Sequence, residues 1–253
     1  MLKIITDKKA YSLLARRLNA LLLILCCTFA LILSAITVNK ITTFTVSANA
    51  GDVFSKTTVI IDAGHGGFDG GAVVDGISEK DINLKIANQI SDGLKLDGIK
   101  VISTRTDDSS TESNPDLTIS ARKKSDLKNR LNIMYENPNS IFVSIHLNKF
   151  PQSNSVHGAQ IFYSQNAQNS EILAECIRSS IVENVQPDNK RALKKGTNAT
   201  YILKNATVPT VIAECGFMSN PEEFSKLQNE DYQIKMADAI KCGILEYIRE
   251  SPN

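Results

Sequence analysis

Four side chains in this sequence have the types that carry hydrolytic chemistry, and they lie far apart along the chain. His65 sits in a glycine-rich run with glycines at 64, 66, 67, 70 and 71. Glu79 follows it by 14 positions, His146 comes much later, and Glu214 later still. Two histidines and one carboxylate make a ligand set for catalytic zinc, with a fourth position left for water. Zinc lowers the pKa of such a water from about 15.7 to about 7. Glu214 has the chemistry of a general base that takes the water proton and passes it to a leaving amine. Each residue also has an ordinary structural reading. A strand-end histidine can be a satisfied polar residue, Glu79 a helix-start carboxylate, and Glu214 a salt-bridge partner. The glycine-rich run could instead cradle phosphate, although it fits neither GxGxxG nor GxxxxGK[ST].

The elements needed to position these groups are visible in the apolar pattern. Val- and Ile-rich runs recur at 58–61, 99–103, 141–145, 159–163 and 209–213, the composition of buried strands. Amphipathic segments separate most of them. Residues 79–96 place Ile82, Ile86, Ile90 and Leu94 four apart on one helical face. Residues 118–136 and 168–184 read as further helices, and 231–249 carries Ile234, Ala237, Ile240, Ile244 and Ile248 on one stripe. Strands alternating with helices predict a single α/β domain, with a largely parallel sheet and helices on both faces. His65 then follows the first strand, His146 ends the strand 141–145, and Glu214 ends the strand 208–213. A parallel sheet gathers such strand ends on one edge. Ser78 and Asp81 form an S-x-x-D pattern that predicts a capping-box-like helix start, with Glu79 in the first turn. Asn220 and Pro221 predict a second cap just after Glu214.

The first fifty residues have a different character. Lys3, Lys8, Lys9, Arg16 and Arg17 precede an apolar run from Ala20 to Ala35, and Ser47-Ala-Asn-Ala50 supplies an A-x-A pattern. Together these predict a secretory signal or an uncleaved membrane anchor over 1–50, and a catalytic domain over 51–253. The expected location is therefore extracytoplasmic, secreted or anchored at the cell envelope, with membrane contact only through this segment. Leu23-Ile24-Leu25 before Cys26 argues against lipidation. The leader holds six of the 28 Lys and Arg residues and one of the 27 Asp and Glu residues, which leaves the remainder at a net −4. A mildly acidic domain has no electrostatic footprint for nucleic acid. Lys123-Lys124 and Lys194-Lys195 read as solvated faces. Outside the leader remain Cys176, Cys215 and Cys242. An odd count without CxxC argues against a disulfide framework or a cysteine-rich metal site.

Four blocks now carry a resemblance: Ile60-Ile-Asp-Ala-Gly-His-Gly-Gly67, Glu79 at a helix start, Ser144-Ile-His-Leu-Asn148, and Glu214-Cys-Gly-Phe-Met-Ser-Asn220. With them, residues 57–248 resemble the zinc-dependent N-acetylmuramoyl-L-alanine amidases of bacterial cell walls, of the type-3 branch. The resemblance implies a mixed sheet flanked by helices. It implies that His65, Glu79 and His146 bind Zn2+ and that Glu214 is the catalytic glutamate. The implied substrate is peptidoglycan, cut at the amide between the lactyl group of N-acetylmuramic acid and L-alanine of the stem peptide. Leu147 and Cys215 depart from the usual pattern without removing a ligand. The short connection after His146 leaves no room for the inhibitory helix of some relatives. The chain looks most like the spore-cortex, germination-associated members, on the route to muramic-δ-lactam in the forespore envelope. Its alternatives are a zinc peptidase of the stem peptide, or a non-catalytic domain that binds peptidoglycan or a partner. An envelope protein that activates the site or helps load zinc is a further expected partner. The family pattern gives His157 no metal role.

Overall fold

A computed structural model describes residues 57–250 except 113, 198 and 199, together with 17, 21, 22 and 28. The expectations for the leader fall outside the described residues. The fold below belongs to the unit Gly51–Asn253. Among the described residues no helix is long and apolar enough to cross a membrane.

Six strands form the main sheet: β1 (Thr58–Ala63), β4 (Lys100–Ser103), β5 (Ser140–Asn148), β6 (Gln160–Tyr163), β7 (Lys194–Lys195) and β8 (Thr210–Phe217). Their order is β4-β1-β5-β8-β6-β7. All pairings are parallel except β6 against β8. A separate hairpin pairs β2 (Val73–Val74) with β3 (Ile77–Ser78). The helices are α1 (Glu79–Leu96), α2 (Ile119–Tyr135), α3 (Ser170–Asn184), α4 (Tyr201–Asn205), α5 (Pro221–Gln228) and α6 (Glu230–Glu250).

Strand periodicity decides which face each residue serves. Val59, Ile61 and Ala63 of β1, Val143 and Ile145 of β5, and Val211 and Ala213 of β8 join one core. That core includes Ile86 and Ile90 of α1, Ile177 of α3, and Ile240 and Ile244 of α6. Each of these fully buried isoleucines contributes roughly 1.5–3 kcal/mol. Ile60 and Phe142 point the other way, into a smaller core with Leu131 and Met134 of α2 and Ile202 of α4. Asp62, Ser144, His146 and Glu214 have the even parity of Ile60 and Phe142. The strands that build the main core therefore turn their functional side chains to the α2 side.

Two local expectations change. Ser78 is the N-cap of α1, but its side chain makes no capping bond. The first N–H groups of α1 instead donate to carbonyls of the His65 loop, Glu79 N to Ala72 O (2.8 Å) and Lys80 N to Gly70 O (3.2 Å). Strands β5 and β8 also run beyond His146 and Glu214, because their pairing continues past a register shift to Asn148 and Phe217.

Candidate metal centre

Immediately after β1 the backbone enters the left-handed region for three successive residues: His65 (φ 62°), Gly66 (136°) and Gly67 (53°). Glycine adopts this at little cost, whereas histidine does not. Gly64 is required for a different reason: a Cβ there would overlap the His146 imidazole. The turn brings the two rings to a centroid separation of 4.9 Å, nearly edge-on at 75°.

The orientation of each ligand candidate is fixed by a hydrogen bond. His65 Nδ1 lies 2.9 Å from Asp69 Oδ2, four residues on in the same loop. Donation there leaves the Nε2 lone pair facing inward, the usual arrangement behind a metal-binding histidine. Nε2 is 3.3 Å from Glu79 Oε1. His146 Nδ1, on β5, is 3.0 Å from the same oxygen. Glu79 is 4% exposed. Its Oε1 also accepts from Leu147 N (3.0 Å) and Asn83 Nδ2 (3.3 Å), and its Oε2 from Ala72 N (2.9 Å). One ligand atom each from His65, Glu79 and His146 lies within 4.8 Å of the others.

Electrostatics follow from this crowding. Burial alone would raise Glu79, but its hydrogen bonds with His146 and His65 outweigh that and hold it well below the usual carboxylate range. Burial would lower His65, yet Asp69 and Glu79 push it up to about 9. Glu214 sits in register with His146 on one side and with Gln160 on the other. Burial pushes its carboxyl up to about 7; the histidines oppose the shift and Glu79 adds to it. Its Oε2 is buried without a hydrogen-bond partner. Such an orphaned oxygen is costly unless a group outside the protein satisfies it. Two imidazole nitrogens, one carboxylate and an adjacent acid with one unpartnered oxygen fit a catalytic zinc site with its water.

The structure thus brings all four predicted residues together and leaves out His157. That histidine is exposed, with Nδ1 2.9 Å from Ser155 O. It lines a separate cleft of about 780 Å³ with Gln186, Asn189, Glu222 and Tyr232. Residues 149–159 form turns and bends without a helix. Lys123 is not a merely solvated charge: its Nζ is 2.9 Å from Asp69 Oδ1.

Asp69 and Asn83 carry no role in the sequence reading, and Glu223 only that of an acid two residues after Pro221 in the capped helix. Asp69 orients His65; its place as an acid four residues after a histidine in a glycine run was the available signal. Asn83, one turn after Glu79, braces that carboxylate. Glu223, buried one turn into α5, accepts from Phe217 N (2.7 Å) and Gly158 N (2.9 Å) and so fastens the end of the strand carrying Glu214. The predicted Asn220 cap forms, accepting from Glu223 N at 3.0 Å.

Comparison with known proteins identifies the family. The profile of the N-acetylmuramoyl-L-alanine amidase family matches residues 59–246. The germination-specific N-acetylmuramoyl-L-alanine amidase of Bacillus subtilis is 36% identical over 196 residues, 78% of this chain and 81% of that protein. Among solved structures, the CwlD amidase from Clostridioides difficile in complex with the GerS lipoprotein is 40% identical, with a TM-score of 0.73. The match covers 78% of this chain and all of that one, 100%. AmiC2 of Nostoc punctiforme is 31% identical with a TM-score of 0.64, over 76% of this chain and 97% of its own. With the family profile spanning residues 59–246 and relatives matching over more than three quarters of its length, the chain belongs to the N-acetylmuramoyl-L-alanine amidase family.

Proposed function

We propose that this amidase hydrolyses the bond between N-acetylmuramic acid and L-alanine through a zinc ion held by His65, Glu79 and His146, with Glu214 as proton carrier. The observation that carries the reading is the convergence of three ligand atoms within 4.8 Å beside the buried, unpartnered Glu214 Oε2. When bound, zinc supplies Lewis acidity to a water and to the scissile carbonyl. The protein's own groups do the rest. Asp69 holds the His65 ring in the tautomer that presents Nε2. Ala72 N, Leu147 N and Asn83 fix the Glu79 carboxylate in one orientation. Glu214 takes the proton of the attacking water and returns it to the departing alanine nitrogen.

The germination-specific relative supports a role in spore cortex; with that role goes a location outside the cytoplasm, the first fifty residues serving as signal or anchor. The GerS complex of the C. difficile protein supports an envelope protein partner, testable by co-purification from membranes. The test of the activity is product analysis after digesting wall material with zinc-loaded wild type and Glu214→Ala. Stem peptides bearing a new N-terminal alanine, released by wild type alone, are expected. Cleavage within the stem peptide would identify a peptidase, and binding without any cleavage would identify a non-catalytic domain.

A further inference from the structure

The His65 loop is gripped by two guanidinium groups from different elements. Arg130, on α2, is 2% exposed. It donates from Nη1 to Ala63 O (2.9 Å) and from Nη2 to His65 O (2.7 Å). Arg105, just past β4, donates from Nε to Ala63 O (2.9 Å) and from Nη2 to Gly64 O (3.1 Å). The carbonyls of residues 63, 64 and 65 are therefore all held by arginine. Nη2 of Arg105 also donates to Lys80 O (2.8 Å), and Nη1 to Asp107 O (2.9 Å). One nitrogen thus joins the residue before His65 to the residue after Glu79.

This grip falls where the backbone is least willing. A non-glycine residue in the left-handed region costs on the order of 1–3 kcal/mol and persists only where its surroundings over-determine it. His65 is such a residue. Relaxation of its backbone would carry the imidazole away from Glu79 and His146. Arginine suits the task because its planar fork reaches several carbonyls at once, whereas lysine donates from a single point. The charge of Arg130 is balanced on its other edges by Asp62 and by Asp126 Oδ2 at 2.7 Å from Nε. Asp62 is itself held by Thr104 Oγ1 (2.7 Å) and Ser144 Oγ (2.5 Å), so the grip is anchored in β1, β5 and the segment after β4.

We infer that Arg105 and Arg130 are positioning residues that set metal affinity, by locking the His65 backbone and its spacing to Glu79. The inference rests on the reading of His65 and Glu79 as ligands. The test compares wild type with Arg130→Lys, Arg105→Lys and Asp126→Asn. Zinc affinity is measured by chelator competition, the visible spectrum with Co2+ in place of zinc, and the melting temperature of metal-free protein. Asp126→Asn is the structural control. It removes the ion pair behind Arg130 and weakens the Asp126 bonds to Thr111, but leaves the carbonyl contacts.

Both lysine variants are expected to bind zinc about 10–100-fold more weakly and to shift the Co2+ spectrum. Asp126→Asn is expected to melt lower with unchanged zinc affinity and spectrum. If Arg130→Lys does not fold, Arg105→Lys decides alone, since Arg105 makes its hydrogen bonds to backbone carbonyls. Wild-type affinity and spectrum in the lysine variants would overturn the inference. Equal weakening by Asp126→Asn would reduce the grip to general stability. A wild type that binds neither metal would instead overturn the ligand assignment.

Discussion

The environment of single atoms sets what each residue of the centre can do. Glu214 has one carboxylate oxygen buried without a partner, beside two histidines. Glu214→Gln keeps the shape and removes the proton acceptor. Turnover should fall by about 10²–10⁴-fold, while metal analysis finds the zinc content of wild type; loss of zinc as well would make Glu214 a support for the ligands instead. At His65 the pH effect has a definite sign in metal-free protein. Its pKa is raised from 6.5 to about 9, with Asp69 and Glu79 outweighing burial. A raised pKa contributes stability that is complete below 6.5 and lost as pH rises through about 9. Other groups titrate in that range, so the comparison is with His65→Gln. Metal-free wild type should lose more melting temperature than this variant between the two pH values, and parallel losses would refute the linkage. His157 should matter to neither property: His157→Ala should retain full zinc content.

At the scale of elements, legibility tracked repetition. Helix α1 is found at the predicted 79–96 because four apolar residues spaced by four leave only one face to bury. The two-residue strands β2, β3 and β7 and the five-residue α4 are too short to generate any period. Helix α2 is bounded to within a residue, but its inward-facing Arg130 is not legible, since its burial depends on Asp62 and on two carbonyls more than 60 positions away as well as on nearby Asp126. The antiparallel run of β6 was likewise hidden, because alternating strands and helices argue for parallel pairing. Of the site, the types of the four clustered residues and their common sheet edge can be read; the supporting contacts of Asp69, Asn83 and Glu223 cannot, because each acts through another residue. One element contact gives a direct test. Helices α3 and α6 touch at Gly243, where a Cβ would come within 2.5 Å of Ile177 Cα and 2.8 Å of Cys176 O. Gly243→Ala should cost about 1–3 kcal/mol by overpacking, or about 2–4 °C of melting temperature per kcal/mol in a domain of this size. Zinc content per folded molecule should stay the same, because no residue of that contact belongs to the metal cluster.

At the scale of the molecule, the centre draws on three elements that also pack together beneath it, β1 and β5 as paired strands and α1 through the main core. His65 belongs to the loop after β1, Glu79 to the start of α1 from the main core, and His146 to β5 between both cores. Without a metal, these three groups satisfy one another only through shared contacts to a single Glu79 oxygen, at 3.3 Å and 3.0 Å. A ligand that binds the native arrangement and not the unfolded chain stabilises the native state by linkage, about 4 kcal/mol when its free concentration is about 1,000 times the dissociation constant. For a domain of this length that corresponds to roughly 8–16 °C. Zinc added to chelator-treated protein should therefore raise the calorimetric melting temperature by that order, and magnesium should not, because two imidazole donors suit zinc and not a cation that prefers oxygen. His146→Ala should abolish the zinc response while leaving the main-core strands and helices folded. A wild-type melting curve indifferent to zinc would mean that the three side chains form a hydrogen-bonded cluster and not a metal site.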